Sequence, residues 1–341
     1  MPTYIELSND EKRELLNRTS DKKQISQLLI EKDFWVTWLL ARVFELDLAQ
    51  HLTFKGGTSL SKCYGLIHRF SEDCDITIDK SLFSGNVDEN SLSGKKFNKR
   101  LESNDEQAIH FVHHILKPAL EQSIGNHFSD IYQWEITIDE KEPKNLRFIY
   151  PSVITLEDSP YIKKSVLLEM GVRGDIYPSE TRPISSYIED TFGDILEKQE
   201  TTLRVLSPIR TFWEKTTILQ AENNRPQEKQ FGDRLSRHYY DIYQMIEAGI
   251  HQQAIKNIDL LDSIIANKKQ YFRTSWAKYE EAIPGSFKLY PNNHLLNYLR
   301  EDYHSMAMMV FGDTPSFDVI LGSIQKLEIE LNSITSSNHH N

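Results

Sequence analysis

Asp73 and Asp75 stand on either side of Cys74 in the stretch DCDITI. Successive side chains of an extended strand point to opposite faces, so carboxylates at i and i+2 project to the same side. Like charges held this close repel unless a cation or a proton lies between them. Hard divalent ions take oxygen ligands and complete their shell with water and substrate phosphate, which makes the pair a candidate site for Mg²⁺ or Mn²⁺. Upstream, Gly56 and Gly57 permit a tight turn and close backbone approach. Thr58 and Ser59 follow where a helix N-terminus would offer free N–H groups to an anion, and Ser59 and Ser71 add hydroxyl donors. A lone D-x-D is more often a solvated surface pair, and a lone Gly-Gly is usually a turn. Here a metal pair and a phosphate cradle are separated by one short helix, and together they rise above either bland reading.

These residues need elements to hold them, and the pattern supplies a compact unit. A strand at 52–54 leads into the turn at Gly56 and Gly57, a helix follows from 58 to about 66, and a second strand runs over 73–78. Before it, apolar residues recur at helical spacing from Ile25 to Val43, with N-caps expected at Asn9 or Asp10 and at Ser20 or Asp21. After it, 80–105 reads as a long polar loop containing a helix, and 106–122 as a helix. Further strands are expected over 132–139, 146–153 and 165–172. Helical periodicity then dominates, over 209–222, 233–248, 252–266, 293–310 and 317–333. The fold class is therefore α/β (α+β), with a small mixed sheet, N-terminal helices and a mostly helical C-terminal half. The expected division is a domain over 1–200 and a helical domain over 201–335, with only the last residues, SITSSNHHN, disordered.

Composition narrows the function. The chain has 341 residues, 39% hydrophobic and 26% charged, enough for two domains and a sizeable core. Cys63 and Cys74 lack disulfide or metal spacing and read as small apolar packers of a cytoplasmic protein. No run approaches a membrane span, and no basic flank precedes an apolar core at the N-terminus. A net charge of −11 means that any nucleic-acid contact must be local. The candidate is Lys95, Lys96, Lys99 and Arg100, whose plainer reading is a solvated helix face. His110, His113 and His114 share helical spacing that could suit zinc, although no glutamate stands between them as a general base.

The stretch from Phe54 to Thr77, with its GGTSLSK turn and RFSEDCD strand, closely resembles the AbiEii/AbiGii toxin nucleotidyltransferases, a branch of the polymerase-β-like superfamily. The likeness extends to IEKDFWVTWLL at 30–40, FWEKTTILQ at 212–220, RHYYDIYQM at 237–245, PGSFKLYP and EDYHSMAMMVFG. The resemblance implies a nucleotidyltransferase toxin of a toxin–antitoxin or phage-defence system that moves a nucleotide from a nucleoside triphosphate to an acceptor by two-metal catalysis. The implied acceptor is the 3′ end of transfer RNA, and a cognate antitoxin is the implied partner. It further implies that Ser71 and Asp73 form the S-x-D of the site with Asp75 as partner carboxylate. Lys215 would hold the triphosphate, Asp241 would be the late acidic residue, and Glu169 is the candidate third carboxylate. From the residues alone, Lys215 could be a solvated helix lysine and Asp241 the ion-pair partner of Arg237, four residues earlier. The rival function is a non-catalytic nucleotide- or RNA-binding module whose D-x-D is structural.

Overall fold

The computed structural model describes residues 1–71, 73–84, 92, 94–128, 133–154, 163–197, 201–307 and 309–334. The chain divides into two compact units, one of Met1–Cys63 with Ser71–Leu206 and the other of Tyr64–Phe70 with Ser207–Asn341. Among the described residues no helix is long and apolar enough to cross a membrane.

The first unit opens with helices α1 (Asn9–Lys23) and α2 (Gln27–Phe44). Ser8 caps α1 in a reciprocal box, its hydroxyl accepting from Glu11 N while the Glu11 carboxylate accepts from Ser8 N. Ser26 caps α2. The expected caps therefore shift. Asn9 and Asp10 are already helical, and Ser20 and Asp21 lie inside α1, which continues until Gln24 turns left-handed at φ 55°. Helix α2 is buried on nearly every face, as its unbroken apolar run requires. Trp35 stacks on Tyr150 at 5.5 Å, and Trp38 stacks on Phe148 at 6.0 Å.

Against α2 lies a seven-stranded mixed sheet in the order β3-β4-β5-β2-β1-β7-β6. Its strands are β1 (Leu52–Lys55), β2 (Asp73–Ile78), β3 (Glu135–Ile138), β4 (Leu146–Ile149), β5 (Ser165–Gly171), β6 (Ser179–Ile184) and β7 (Thr201–Leu206). The central β2 runs antiparallel to β1 and parallel to β5. The other helices of the unit are α3 (Gly56–Lys62), α4 (Ser81–Ser84), α5 (Gly94–Phe111), α6 (Lys117–Gly125) and α7 (Tyr187–Phe192). Between α5 and α6 the chain makes a π-turn, Val112–Leu116, two residues ahead of Pro118, which cannot donate into a regular ladder.

The α/β class holds, but the sheet is larger than the pattern suggested. Strand β6 carries four exposed residues in a row and Pro183, so it shows no apolar alternation. Strand β7 pairs with β1 in parallel and buries Leu203, Val205 and Leu206.

The second unit is helical: α8 (Pro208–Asn223), α9 (Ser236–Glu247), α10 (Ile250–Lys256), α11 (Asp259–Tyr271), α12 (Asn293–Ala307) and α13 (Phe317–Ser333). Helix α8 packs on α9, α10 and α11, and α9 packs on α12 and α13. The single helix expected over 252–266 is two, broken at Asn257, whose backbone leaves the helical region. The segment Tyr64–Phe70 joins this unit through hydrogen bonds from Phe70 N to Met309 O and from Phe311 N to His68 O. The expected disordered tail lies, from residue 335 onward, outside the described residues.

Candidate active site

Strand β2 presents Asp73 and Asp75 on one face, both half-buried, and turns Cys74 into the core on the other. Burial, then the neighbouring carboxylates of Asp73, Asp75 and Glu169, push the Cys74 thiol far up, so it packs and does not react. Asp75 stands opposite Glu169 in the parallel pairing of β2 with β5. Residues opposed in register share a face, so Glu169 joins the two aspartates there. Lys55 stands opposite Asp75 on the other side, in the antiparallel pairing with β1.

Gly56 is where the turn meets this face. Its φ is +80°, and a Cβ built on it would lie 2.0 Å from Asp75 Oδ2 and 2.8 Å from Asp75 Cγ. Only glycine allows the backbone to come so close to that carboxylate. Helix α3 starts at this residue, with Lys55 extended before it, so Thr58 and Ser59 are the third and fourth helical residues. Both are fully buried. Thr58 Oγ1 donates to Asp73 O at 2.5 Å and lies 3.3 Å from Ser71 O, lacing the helix to the start of β2. Ser59 Oγ donates to Gly56 O at 2.9 Å. At the far end, Lys62 Nζ lies 2.6 Å from Asp33 Oδ1, and Asp33 also accepts from Tyr187 N. Helix α3 is thus fixed at both ends.

The second unit holds a different constellation. Asp241 on α9 is fully buried and takes Arg69 bidentately, Nε to Oδ1 at 2.7 Å and Nη2 to Oδ2 at 2.8 Å. Lys215 Nζ on α8 lies 2.9 Å from Oδ2 and 3.4 Å from His238 Nδ1. Burial works to raise the Asp241 carboxyl, but Arg69 and Lys215 overcome it and hold the group well below the carboxylate range. Lys215 shares that single carboxylate with Arg69, so burial prevails for it and its ammonium shifts down. His238, buried and beside Lys215 and Arg237, is held neutral well below its ordinary value. The alternative helical pair of Asp241 with Arg237 gives way to Arg69, which lies 172 residues away in sequence.

A family model described as nucleotidyl transferase AbiEii toxin, type IV toxin–antitoxin system, matches residues 38–323. The chain belongs to this family. It is a nucleotidyltransferase toxin of a type IV toxin–antitoxin system, and the family brings with it a nucleotide substrate and an antitoxin partner. The fold is similar to that of MenT4, a nucleotidyltransferase toxin from Mycobacterium tuberculosis H37Rv, with a TM-score of 0.51 and 15% identity over 97% of this chain and 91% of that one. Among curated proteins no sequence matches.

In this AbiEii chain, Gly56, Gly57, Thr58, Ser59, Ser71, Asp73, Asp75 and Glu169 all fall in the first unit, at the junction of β1, α3, β2 and β5. Lys215 and Asp241 fall in the second, bound to each other. Among the described residues no group of three or more His, Cys, Asp or Glu side chains is placed to hold a metal ion. The chemistry of the β2 face nevertheless suits a hard cation, because Asp73, Asp75 and Glu169, related by strand register, offer oxygen only. His113 Nε2 meets the Pro143 carbonyl at 2.8 Å, and the His110 and His114 rings lie 4.6 Å apart. Two charged residues escaped the sequence reading. Arg69 lies in the RFSEDCD motif itself, and Lys55 directly precedes the glycine pair. Their place in the motifs was the available signal.

Proposed function

We propose that this toxin transfers a nucleotide from a nucleoside triphosphate to RNA, with the 3′ end of transfer RNA as acceptor. What carries the reading is the register of the sheet, with Glu169 opposite Asp75, Asp73 two residues along, and the Gly56 backbone against the Asp75 carboxylate. Asp73, Asp75 and Glu169 would hold magnesium or manganese, which when bound neutralises phosphate charge and makes an attacking hydroxyl more acidic. Gly56, having no side chain, leaves the space in which the Asp75 carboxylate packs against the start of α3. Ser71, half-buried at the mouth of β2, is a hydroxyl donor toward the phosphates, as are the backbone N–H groups after Gly57. Lys215 is assigned to the β- and γ-phosphates and Asp241 to its charge balance. Catalysis of this kind is positional and electrostatic and needs no covalent enzyme intermediate.

For the RNA, the acidic chain offers Lys95, Lys96 and Lys99, all exposed on α5, with Arg100 half-buried beside them. Phe97 anchors the same turn in the core. A phage-defence role would follow from toxicity released on infection.

The test is incubation with each α-labelled nucleoside triphosphate, total RNA and magnesium. Label should pass to RNA of transfer-RNA size from a subset of the triphosphates, and Asp73→Asn should stop it. Triphosphate binding with no label on any RNA would remove RNA as the acceptor.

A further inference from the structure

We infer that Lys55 is a further substrate-contacting residue, whose ammonium binds a phosphate of the nucleoside triphosphate on the carboxylate face of the sheet. This rests on the reading of Asp73, Asp75 and Glu169 given above, and it adds a residue that neither the motif reading nor the family description assigns. Three observations within the first unit carry it.

The first is register. Lys55 ends β1 directly opposite Asp75, so its side chain leaves the sheet on the side that carries Asp73, Asp75 and Glu169. The second is the seat of the ammonium. Gly174, in the bend after β5, has no side chain, and a Cβ there would come within 3.1 Å of both Lys55 Nζ and Thr77 Oγ1. The third is unsatisfied polarity. Thr77, two residues beyond Asp75 on the same face, is fully buried, and among the described residues its hydroxyl has no hydrogen-bond partner. The same is true of Thr53, its register partner on β1.

An ammonium serving only to quiet the carboxylates would sit on Asp75, the residue across from it. Lys55 instead makes no ion pair among the described residues and reaches past Asp75 to the seat at Gly174. There it lies beside a buried hydroxyl with an unused donor. A half-buried cation and a spare O–H donor together match an anion rich in acceptor oxygens, which a phosphate is. A buried hydroxyl left unsatisfied costs free energy, so a ligand that takes its hydrogen bond gains by it.

The experiment compares wild type, Lys55→Met and Gly174→Ala in nucleotide transfer, with the unphosphorylated nucleoside as competitive inhibitor. Loss of one charge-assisted hydrogen bond predicts that Lys55→Met lowers kcat/KM for the triphosphate about tenfold to hundredfold. Inhibition by the nucleoside, which has no phosphate to contact, should stay unchanged. Gly174→Ala keeps the charge but fills its seat and should move kcat/KM in the same direction by less. It decides the matter if Lys55→Met does not fold. Equal losses for triphosphate and nucleoside, or turnover within about twofold of wild type, would overturn the assignment. If that happened while Asp73→Asn stayed inactive, the carboxylate site would survive and only Lys55 would be lost. An active Asp73→Asn would instead bring down the site itself.

Discussion

The two units treat buried charge in opposite ways. In the second, Asp241 is fully enclosed and carries its own cations, Arg69 and Lys215, within hydrogen-bond distance. In the first, Asp73, Asp75 and Glu169 are half-exposed and gathered on one face, and the Asp75 carboxylate has no ion pair among the described residues. One arrangement is closed electrostatically, and the other gathers like charges on one face. Removing a partner from a closed set leaves an uncompensated buried charge, which is costly. Removing one member of a gathering of like charges relieves repulsion and costs function instead. Stability and activity should therefore separate cleanly between the two places.

The largest expected effect is on activity in the first unit. Asp73→Asn and Asp75→Asn should each lower transfer by at least ~10³-fold, worth ~4 kcal/mol of transition-state stabilisation, while the urea midpoint holds or rises slightly. Single-turnover transfer set against chemical denaturation reads both quantities, and a variant with near-normal transfer would end the paired-carboxylate assignment. The mirror case is Asp241→Asn, which strands two buried cations and should cost about 3–5 kcal/mol of stability. A denaturation curve unchanged from wild type would show that the second unit does not depend on that carboxylate. Between these lies Gly56→Ala. Its methyl would collide with Asp75 at a backbone angle hostile to alanine, so it should cost about 1–3 kcal/mol and also depress transfer by displacing the carboxylate. Stability lost with transfer intact would mean that Asp75 can move without consequence.

The same contrast explains what the sequence could reveal. Strand β2 and helix α13 are found at their expected bounds because each shows a clean period with a sharp boundary. The carboxylate face was legible because i, i+2 spacing in a strand is a local fact, and the glycine pair lies nearby. Glu169 needed the register of β5 against β2, which no local pattern contains. Strand β6 is hidden by its polar, proline-bearing edge, and β7 by its place at the expected domain boundary near residue 200. The Arg69–Asp241 pair was beyond reach for a simpler reason. Its halves are 172 residues apart, and only the docking of Tyr64–Phe70 among the later helices brings them together.

The smallest effect tests whether the closed cluster is closed to protons as well. His238 is buried in the second unit, facing Lys215 of α8, Arg237 and Asp241 of its own helix α9, and Arg69 of the joining segment. Burial and the two nearest cations hold its native pKa well below its ordinary 6.5, against the opposing pull of Asp241. The unfolded chain therefore takes up a proton near pH 6.5 that the native state refuses. Stability from this group is complete above that pH and drains away as the pH falls toward the lowered native value, by at most about 1.4 kcal/mol per pH unit for one proton. His238→Gln keeps an acceptor for the Lys215 ammonium but cannot titrate. Urea midpoints measured from pH 7.5 down to about 5.5 should fall more steeply for wild type than for His238→Gln, by up to one proton's worth of slope. Parallel slopes would mean that His238 takes its proton as readily in the native state as in the unfolded one. The cluster around Asp241 would then be open to water, and the contrast with the carboxylate face would lose its basis.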